Sequence, residues 1–270
     1  MNIDFHTHCD IDDPKALGEF VAQCERLNTR ACLVSFGPRL DHPSCTNEQC
    51  LAMARSYPDT LVPFAFIDLW DTVDVGYITR FRDLGFKGLK CIAPYHPYDH
   101  DLYMDVYAKA ERFKMPFLFH TGNLRPSSHD AVHRRPLVAN MRPITIDRIA
   151  RSFPNLKIVI AHLGTSLFRH EAAGMVKLHP NVYFDLAGSG QFQALTPEEL
   201  ANLLRNPLNP SDLGHFGKMI LGSDGYITHP EVMANARGFY DALLEAVKVP
   251  AAVRENILGN TVAGWLDLLG

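Results

Sequence analysis

The sequence predicts an α/β fold of the (β/α)8 barrel type, also called a TIM barrel, in a single domain that spans residues 1–270. Two observations carry this prediction. Eight apolar, strand-like runs alternate with helix-like segments, and strict alternation of this kind favours a closed parallel sheet that helices cover on its outer face. The chain of 270 residues has a normal length for one barrel, and its 47% of hydrophobic residues suffices for a large core.

Two other architectures fit the sequence less well. An open doubly wound sheet also alternates strands and helices, but no glycine-rich phosphate-binding turn follows the first strand here. A solenoid of repeats is not supported, because no fixed period recurs along the chain.

The first strand-like run, residues 3–5, is apolar and leads directly into His6-Thr7-His8. Seven more strand-like runs follow, and the first of them, residues 31–36, is continuous and apolar, as expected for a parallel strand that is covered on both sides. They lie at residues 31–36, 61–67, 85–92, 115–120, 157–162, 181–185 and 219–224.

Helices are predicted where apolar residues recur three and four positions apart or where a helix start is encoded. The start at Thr196 is an example, since a capping hydroxyl precedes Pro197 and two acidic residues. The predicted helices cover residues 17–27, 48–57, 73–84, 101–113, 165–178, 230–247 and 256–269, with further starts at residues 142, 196 and 250. Residues 121–141 show no periodic repeat of apolar residues, which predicts a long connection that is functional or mobile.

Composition and charge argue against several classes of partner. The formal net charge is −4 and the 26 Lys and Arg residues are scattered, so we expect neither a nucleic-acid nor a membrane partner. We see neither a signal peptide nor an apolar stretch of about 18 residues, and we expect a cytoplasmic protein. The six cysteines lack a C-x-x-C pair and are expected to be reduced; His42, Cys45 and Cys50 lie close together but fit no usual structural zinc pattern.

Four predicted strands end in residues that bind metals, and this is the strongest functional signal in the chain. The residues are His6 and His8 after the first strand, His120 after the fifth, His162 after the sixth and Asp224 after the eighth. In a barrel the carboxyl ends of all strands meet at one rim, so these side chains should converge. Imidazole and carboxylate ligands without cysteine favour a catalytic divalent metal, with Zn²⁺ as the first choice and Mn²⁺, Co²⁺ or Fe²⁺ as alternatives.

The order His-x-His, His-Thr-Gly, His-Leu-Gly and Gly-Ser-Asp at these strand ends resembles the amidohydrolase superfamily. The most similar branch is the amidohydrolase-related group that includes aminocarboxymuconate-semialdehyde decarboxylase. The resemblance covers nearly the whole chain and implies that His6, His8, His120 and Asp224 ligate one divalent metal. It implies for His162 the role of a nearby base or acid, or of a ligand for a second metal.

Lys90 lies near the position at which dinuclear relatives carry a carboxylated, metal-bridging lysine. The decarboxylase-like branch does not use such a bridge, and the simpler interpretation is a lysine buried against an acidic residue at the rim. Asp185, after the seventh predicted strand, is expected to accept a hydrogen bond from a ligating imidazole.

The leading functional hypothesis is a metal-dependent hydrolase that cleaves an ester, lactone or amide bond with metal-activated water, while His162 or Asp224 moves the proton. The alternative is a non-oxidative decarboxylase of a small unsaturated or aromatic carboxylic acid. We expect a small anionic substrate because cationic and aromatic side chains are predicted at the rim, and the sequence leaves a homo-oligomer open. The predicted substrate-binding residues are Arg125, Arg134, Arg135, His96 and Tyr226.

Two other functional classes fit the sequence less well. A phosphoesterase family also begins with a strand and His-x-His, but it needs a histidine-rich motif after the second strand, where Ser35-Phe36-Gly37-Pro38 stands here. A barrel that merely binds a ligand would lack at least one of the five metal-binding positions, and all five are filled.

Overall fold

Eight parallel strands form the centre of the molecule. In the computed structural model, which describes residues 1–37, 40–135, 137–188, 195–205, 208 and 213–268, the sheet has the order β7-β6-β5-β4-β3-β2-β1-β8. The strands are β1 (Asn2–His8), β2 (Thr29–Val34), β3 (Leu61–Phe66), β4 (Gly88–Cys91), β5 (Phe117–Phe119), β6 (Ile158–Ile160), β7 (Val182–Phe184) and β8 (Gly225–Tyr226). The predicted α/β barrel fold is confirmed.

The sheet closes through the segment that precedes β8. Met219 pairs with Phe184 in a parallel bridge, and the backbone N–H of Ile220 donates to the carbonyl of Phe184 (2.9 Å). On the other side, the N–H of Phe5 donates to the carbonyl of Leu221 (2.9 Å). These bonds join the β7 edge of the sheet to β1.

Helices connect the strands and follow the sequence signals closely. In α1 (Pro14–Arg26), the Asp13 carboxylate caps the first turn by accepting from the N–H groups of Lys15 and Ala16. The start predicted at Thr196 is confirmed, because Thr196 and Glu199 form a reciprocal capping box. The remaining helices are α2 (Asn47–Ser56), α3 (Gly76–Leu84), α4 (Asp101–Arg112), α5 (Ser128–His133), α6 (Ile146–Ser152), α7 (Thr165–Leu178), α8 (Pro197–Leu204), α9 (Glu231–Ala246), α10 (Ala251–Glu255) and α11 (Thr261–Trp265). No helix within these described ranges has the length and apolar character that crossing a membrane requires.

The structure differs from the sequence-based prediction in two places. The connection over residues 121–141 contains α5, which begins with a Ser127–Asp130 capping box and buries none of its side chains, so it has no apolar periodicity to detect. The eighth strand was predicted at residues 219–224, but regular pairing is found at Gly225–Tyr226. The reason is local: Gly222 passes close to Asp185, where a Cβ atom would come within 2.9 Å of the Asp185 Cβ, and Asp224 has a φ of 63°.

One buried carboxyl group, that of Asp4, lies close to apolar core residues of β1. The Phe5 ring meets the edge of Phe64 with their centroids 5.0 Å apart. Asp4 is almost fully buried and accepts from the backbone N–H groups of His6 (3.1 Å) and Ser223 (3.0 Å). Burial raises the pKa of Asp4 to about 7. This carboxyl group links β1 to the segment before β8, directly below the predicted site.

Candidate active site at the carboxyl ends of the strands

The structure brings the five predicted metal-binding residues together at one end of the barrel. His6 and His8 lie two residues apart at the end of β1, while His120 and His162 follow β5 and β6. All four imidazoles are buried, and the Asp224 side chain keeps 14% of its surface exposed. The parallel register of the sheet therefore produces the convergence that the strand-end pattern predicted.

His6 has its protonation pattern set by a buried carboxylate. Its Nδ1 lies 2.9 Å from Oδ2 of Asp185, which is completely buried, so Nδ1 carries the proton and donates it. The Nε2 lone pair then faces the centre of the site, where it contacts the Lys90 ammonium and lies 3.3 Å from Oδ1 of Asp224. Asp185 thus has the supporting role that the sequence suggested.

His8 is oriented differently. Its Nε2 lies 3.1 Å from Oδ1 of Asp224 and 3.0 Å from Nζ of Lys90. Its Nδ1 is buried without a hydrogen-bond partner in the described part of the chain. The imidazole instead stacks on Phe36, with ring centroids 3.7 Å apart and planes inclined by 14°. Ring stacking therefore supports His8 where a carboxylate supports His6.

His120 and His162 face each other through nitrogen atoms that both carry lone pairs in the neutral rings. Nδ1 of His162 donates to the carbonyl of Ala187 (3.0 Å), and Nε2 of His120 donates to the carbonyl of Asn123 (2.9 Å). Since a carbonyl only accepts, these nitrogens hold the protons. The other two, Nδ1 of His120 and Nε2 of His162, are 3.2 Å apart. The two lone pairs therefore point toward each other within the site.

Two site residues adopt backbone conformations that are uncommon for residues other than glycine. The φ angle is 61° at His162 and 63° at Asp224. The turn at His162 is held by Oδ1 of Asp185, which accepts from the His162 N–H at 2.7 Å, and the turn at Asp224 by an N–H bond to the His6 carbonyl at 2.8 Å. Strained backbone that is fixed in this way is typical of functional sites.

Burial and neighbouring charges shift the pKa values of the site in a consistent pattern. Burial lowers the pKa of His6, His8 and His120, and the nearby Lys90 charge adds to the effect. Burial alone would raise the pKa of Asp185 and Asp224, but contacts with the imidazoles outweigh it and hold both below the usual range. The three imidazoles are therefore neutral at pH 7 and the two carboxyl groups are ionised, which is the state that metal binding requires.

The pKa of Lys90 is also shifted from its ordinary value. Its side chain is almost fully buried, and burial lowers its pKa to about 8, against the opposing attraction of Asp224 and Asp185. The simpler interpretation of this residue, a lysine buried near acidic groups at the rim, agrees with these contacts.

The donor set fits a divalent cation. Ligand atoms of His6, His162 and Asp224 all lie within 4.8 Å of one another. Two ligand atoms that share a tetrahedral zinc ion at about 2.0–2.1 Å stand roughly 3.3 Å apart. The separations of Oδ1 of Asp224 from Nε2 of His6 (3.3 Å) and from Nε2 of His8 (3.1 Å) are close to that spacing.

Above these residues lies a cavity of 1220 Å³. One wall is aromatic: the Phe36 ring stacks against Tyr226 (5.3 Å between centroids) and against His42 (5.6 Å). Arg125 also lines the cavity and is close enough to Tyr226 to oppose the rise that burial causes in the pKa of that phenol. The cavity therefore combines a flat apolar wall with a cationic group.

Three of the predicted substrate-binding residues lie elsewhere. His96, Arg134 and Arg135 are not among the residues that line the cavity. His96 stacks on His100 with centroids 4.0 Å apart, and Arg135 lies over the Tyr95 ring at 5.1 Å. His96 lies in the connection after β4, and Arg134 and Arg135 follow α5, so contact of these three residues with the substrate stays a prediction.

Sequence reasoning missed part of the cavity. Asp10, Asp41 and His42 line it, so the mouth is not simply cationic. Asp41 also spans to α5, accepting from the N–H (2.6 Å) and hydroxyl (2.7 Å) of Ser128. The short loops after β1 and β2 carried no pattern that assigns these residues; only the general rule that loops at this end of a barrel line the site points to them.

Comparisons with known proteins agree with this geometry. The sequence profile described as amidohydrolase matches residues 3–267. Among solved structures, a TIM-barrel protein from Bordetella bronchiseptica, described as uncharacterized, is 17% identical, with a TM-score of 0.71 over 98% of both chains. No protein of curated function matches the sequence.

Two further solved structures have described activities. A probable 2-pyrone-4,6-dicarboxylic acid hydrolase from Acinetobacter baumannii, with bound citric acid, is 15% identical with a TM-score of 0.61 over 98% of this chain and 99% of that one. A dihydroxybenzoic acid decarboxylase from Polaromonas sp. JS666, with bound manganese and the inhibitor 2-nitroresorcinol, is 12% identical with a TM-score of 0.58 over 99% and 97%.

The fold and the cluster of imidazole and carboxylate groups at the carboxyl ends of its strands define a metal-dependent barrel enzyme. The profile match over residues 3–267 then gives the family: the chain belongs to the amidohydrolases.

Proposed function

We propose that this enzyme hydrolyses an ester, lactone or amide bond in a small carboxylated or cyclic substrate and needs a divalent metal to do so. The observation that carries the proposal is the convergence of three proposed ligand atoms at the base of a 1220 Å³ cavity: Oδ1 of Asp224 lies 3.3 Å from Nε2 of His6 and 3.1 Å from Nε2 of His8. Neutral imidazoles and ionised carboxylates in a cavity of substrate size are the requirements of metal-assisted hydrolysis.

Each site residue has a proposed role. His6, His8, His120 and Asp224 hold the metal, which we expect to be zinc, with manganese, cobalt or iron as alternatives. When bound, a divalent cation supplies Lewis acidity, which polarises a carbonyl oxygen and makes water more acidic. Asp185 keeps the proton of His6 on Nδ1, so that Nε2 faces the site.

The chain's own residues bind the substrate and move the proton. Arg125 is placed to bind a carboxylate, while Phe36 and Tyr226 offer flat surfaces to a ring. Water adds to the carbonyl carbon, and Asp224 or His162 takes its proton. The bond to the leaving oxygen or nitrogen then breaks, and the same proton is delivered to that atom.

Decarboxylation is the second candidate, and the similarity to the Polaromonas decarboxylase favours it. In that reaction the bond between the substrate carbon and its carboxylate breaks and CO₂ leaves. The electron pair stays on the carbon, which takes a proton from His162. The substrate would be a small unsaturated or aromatic carboxylic acid.

One assay separates the two reactions. Metal-reconstituted enzyme is incubated with a panel of lactones, esters, amides and aromatic acids while CO₂ release and acid release are recorded in parallel. Acid release without CO₂ supports hydrolysis, and CO₂ release supports decarboxylation. Neither product across the panel, from enzyme that holds its metal, contradicts both proposals.

A further inference from the structure

A buried lysine contacts the same nitrogen atoms that the proposed metal would use. Lys90 lies on β4 and has about 1% of its surface exposed. Its Nζ contacts Nε2 of His6 and lies 3.0 Å from Nε2 of His8. An ammonium group only donates, so its contact with His6 engages the Nε2 lone pair, and at His8 it occupies the space beside Nε2.

The two imidazoles differ in their other hydrogen-bond contacts. Nδ1 of His6 holds its proton for Asp185, which leaves Nε2 as the sole acceptor on that ring. Nε2 of His8 also faces Oδ1 of Asp224 at 3.1 Å. A metal ligated by these imidazoles must bind to the atoms that the ammonium contacts, and two cations cannot share one lone pair.

We propose that the Lys90 ammonium competes with the divalent metal for Nε2 of His6 and His8, so that Lys90 lowers the affinity of the site for the metal. This inference rests on the metal site proposed above. The ammonium has a place to go when metal enters, because Lys90 lines the open cavity. There it faces the substrate space together with Arg125, so a bound metal would also increase the positive charge presented to an anionic substrate.

The expected effect is tighter metal binding when the ammonium is removed. Lys90→Met keeps an unbranched apolar side chain that is one heavy atom shorter and cannot donate to the imidazoles. Loss of one charge-assisted hydrogen bond from the metal-free state should lower the dissociation constant for zinc by about tenfold or more. If Lys90 were instead a ligand of the metal, the same change would raise the dissociation constant.

The experiment measures zinc and manganese affinity by competition with a chromophoric chelator. Wild type is compared with Lys90→Met and with Lys90→Gln, which guards against a folding defect in either variant. Lys218→Met is the matched control: Lys218 is half-buried and donates to the carbonyl of Val176 at 2.7 Å, outside the cavity. A second measurement uses wild type alone and follows the lysine ammonium signals by ¹⁵N NMR while one equivalent of zinc is added.

The outcomes separate this inference from the proposed function. Tighter binding in both Lys90 variants, unchanged binding in Lys218→Met and a zinc-induced shift of a protected ammonium signal support the competition. Equal or weaker binding in the Lys90 variants, while wild type binds zinc, overturns it and leaves the metal site intact. If no form of the protein binds metal, both proposals fall.

Discussion

Replacing Asp185 by Asn tests how the ligand His6 is prepared for the metal. The Asp185 carboxylate accepts three hydrogen bonds: Oδ2 from Nδ1 of His6, and Oδ1 from the backbone N–H groups of His162 (2.7 Å) and Ala187 (3.0 Å). An amide has one accepting oxygen. If that oxygen keeps the two backbone bonds, its NH₂ group must face Nδ1 of His6, and two donors then meet.

The imidazole can relieve this conflict by moving its proton to Nε2, which removes the lone pair that faces the site. Loss of such a supporting partner weakens metal affinity by about 10- to 100-fold. The missing charge-assisted hydrogen bond should also lower the free energy of unfolding by about 1.5–3 kcal/mol. Asp185→Asn should therefore be folded, less stable and poor in metal.

The assay compares chelator competition and urea unfolding in wild type, Asp185→Asn and a control, Asp147→Asn. Asp147 also pairs with an imidazole, 2.9 Å from Nε2 of His179, but outside the cavity. The control should keep its metal affinity. An Asp185→Asn protein that binds metal as tightly as wild type would refute the reasoning about the His6 tautomer.

Three further predictions follow from the site. His162→Ala should retain most of the metal but lose about two to four orders of magnitude in turnover, because an acid–base group is removed. His120→Ala should lose metal and turnover together. If elemental analysis shows equal metal loss in both variants, His162 is a metal ligand. Arg125→Ala should lower kcat/KM about tenfold or more for a carboxylated substrate, whereas Arg134→Ala, at a residue outside the cavity, should not. Equal kcat/KM values for the two variants in steady-state kinetics would contradict the role of Arg125 in binding the carboxylate. In the metal-free protein the free energy of unfolding should fall as the pH drops below 6.5, because histidines of the unfolded chain bind protons more readily than the three site imidazoles, whose pKa values are lowered. Protonation of Asp4, whose pKa is raised to about 7, opposes this effect by one proton at most. Each net proton that the unfolded chain gains corresponds to about 1.4 kcal/mol per pH unit, and constant stability in urea titrations between pH 6.5 and 5 would count against these shifts.

The sequence was most informative where strand periodicity decides the answer. His6 and His8 are two residues apart on β1, so alternation places both side chains on one side. The parallel sheet then brings His120, His162 and Asp224 to the same rim. This part of the site needs only the fold class and the position of each residue at a strand end.

Side-chain reach and loop conformation were not predictable in this way. The contact of Lys90 with two imidazoles depends on how far its stem extends across the barrel interior. The stacking of Phe36 on His8 depends on the path of the loop after β2, and the orientation of Arg134 and Arg135 depends on α5, which has no buried face. Sequence alone therefore predicted which side chains converge at the rim, but not the cavity wall.

Elemental analysis can decide whether His6, His8, His120 and Asp224 hold a divalent metal. The protein is stripped with a chelator, reconstituted with zinc or manganese, freed of unbound ions and analysed for metal per chain. About one equivalent of metal per chain is expected. Less than a tenth of an equivalent in correctly folded protein, with either metal, would contradict it.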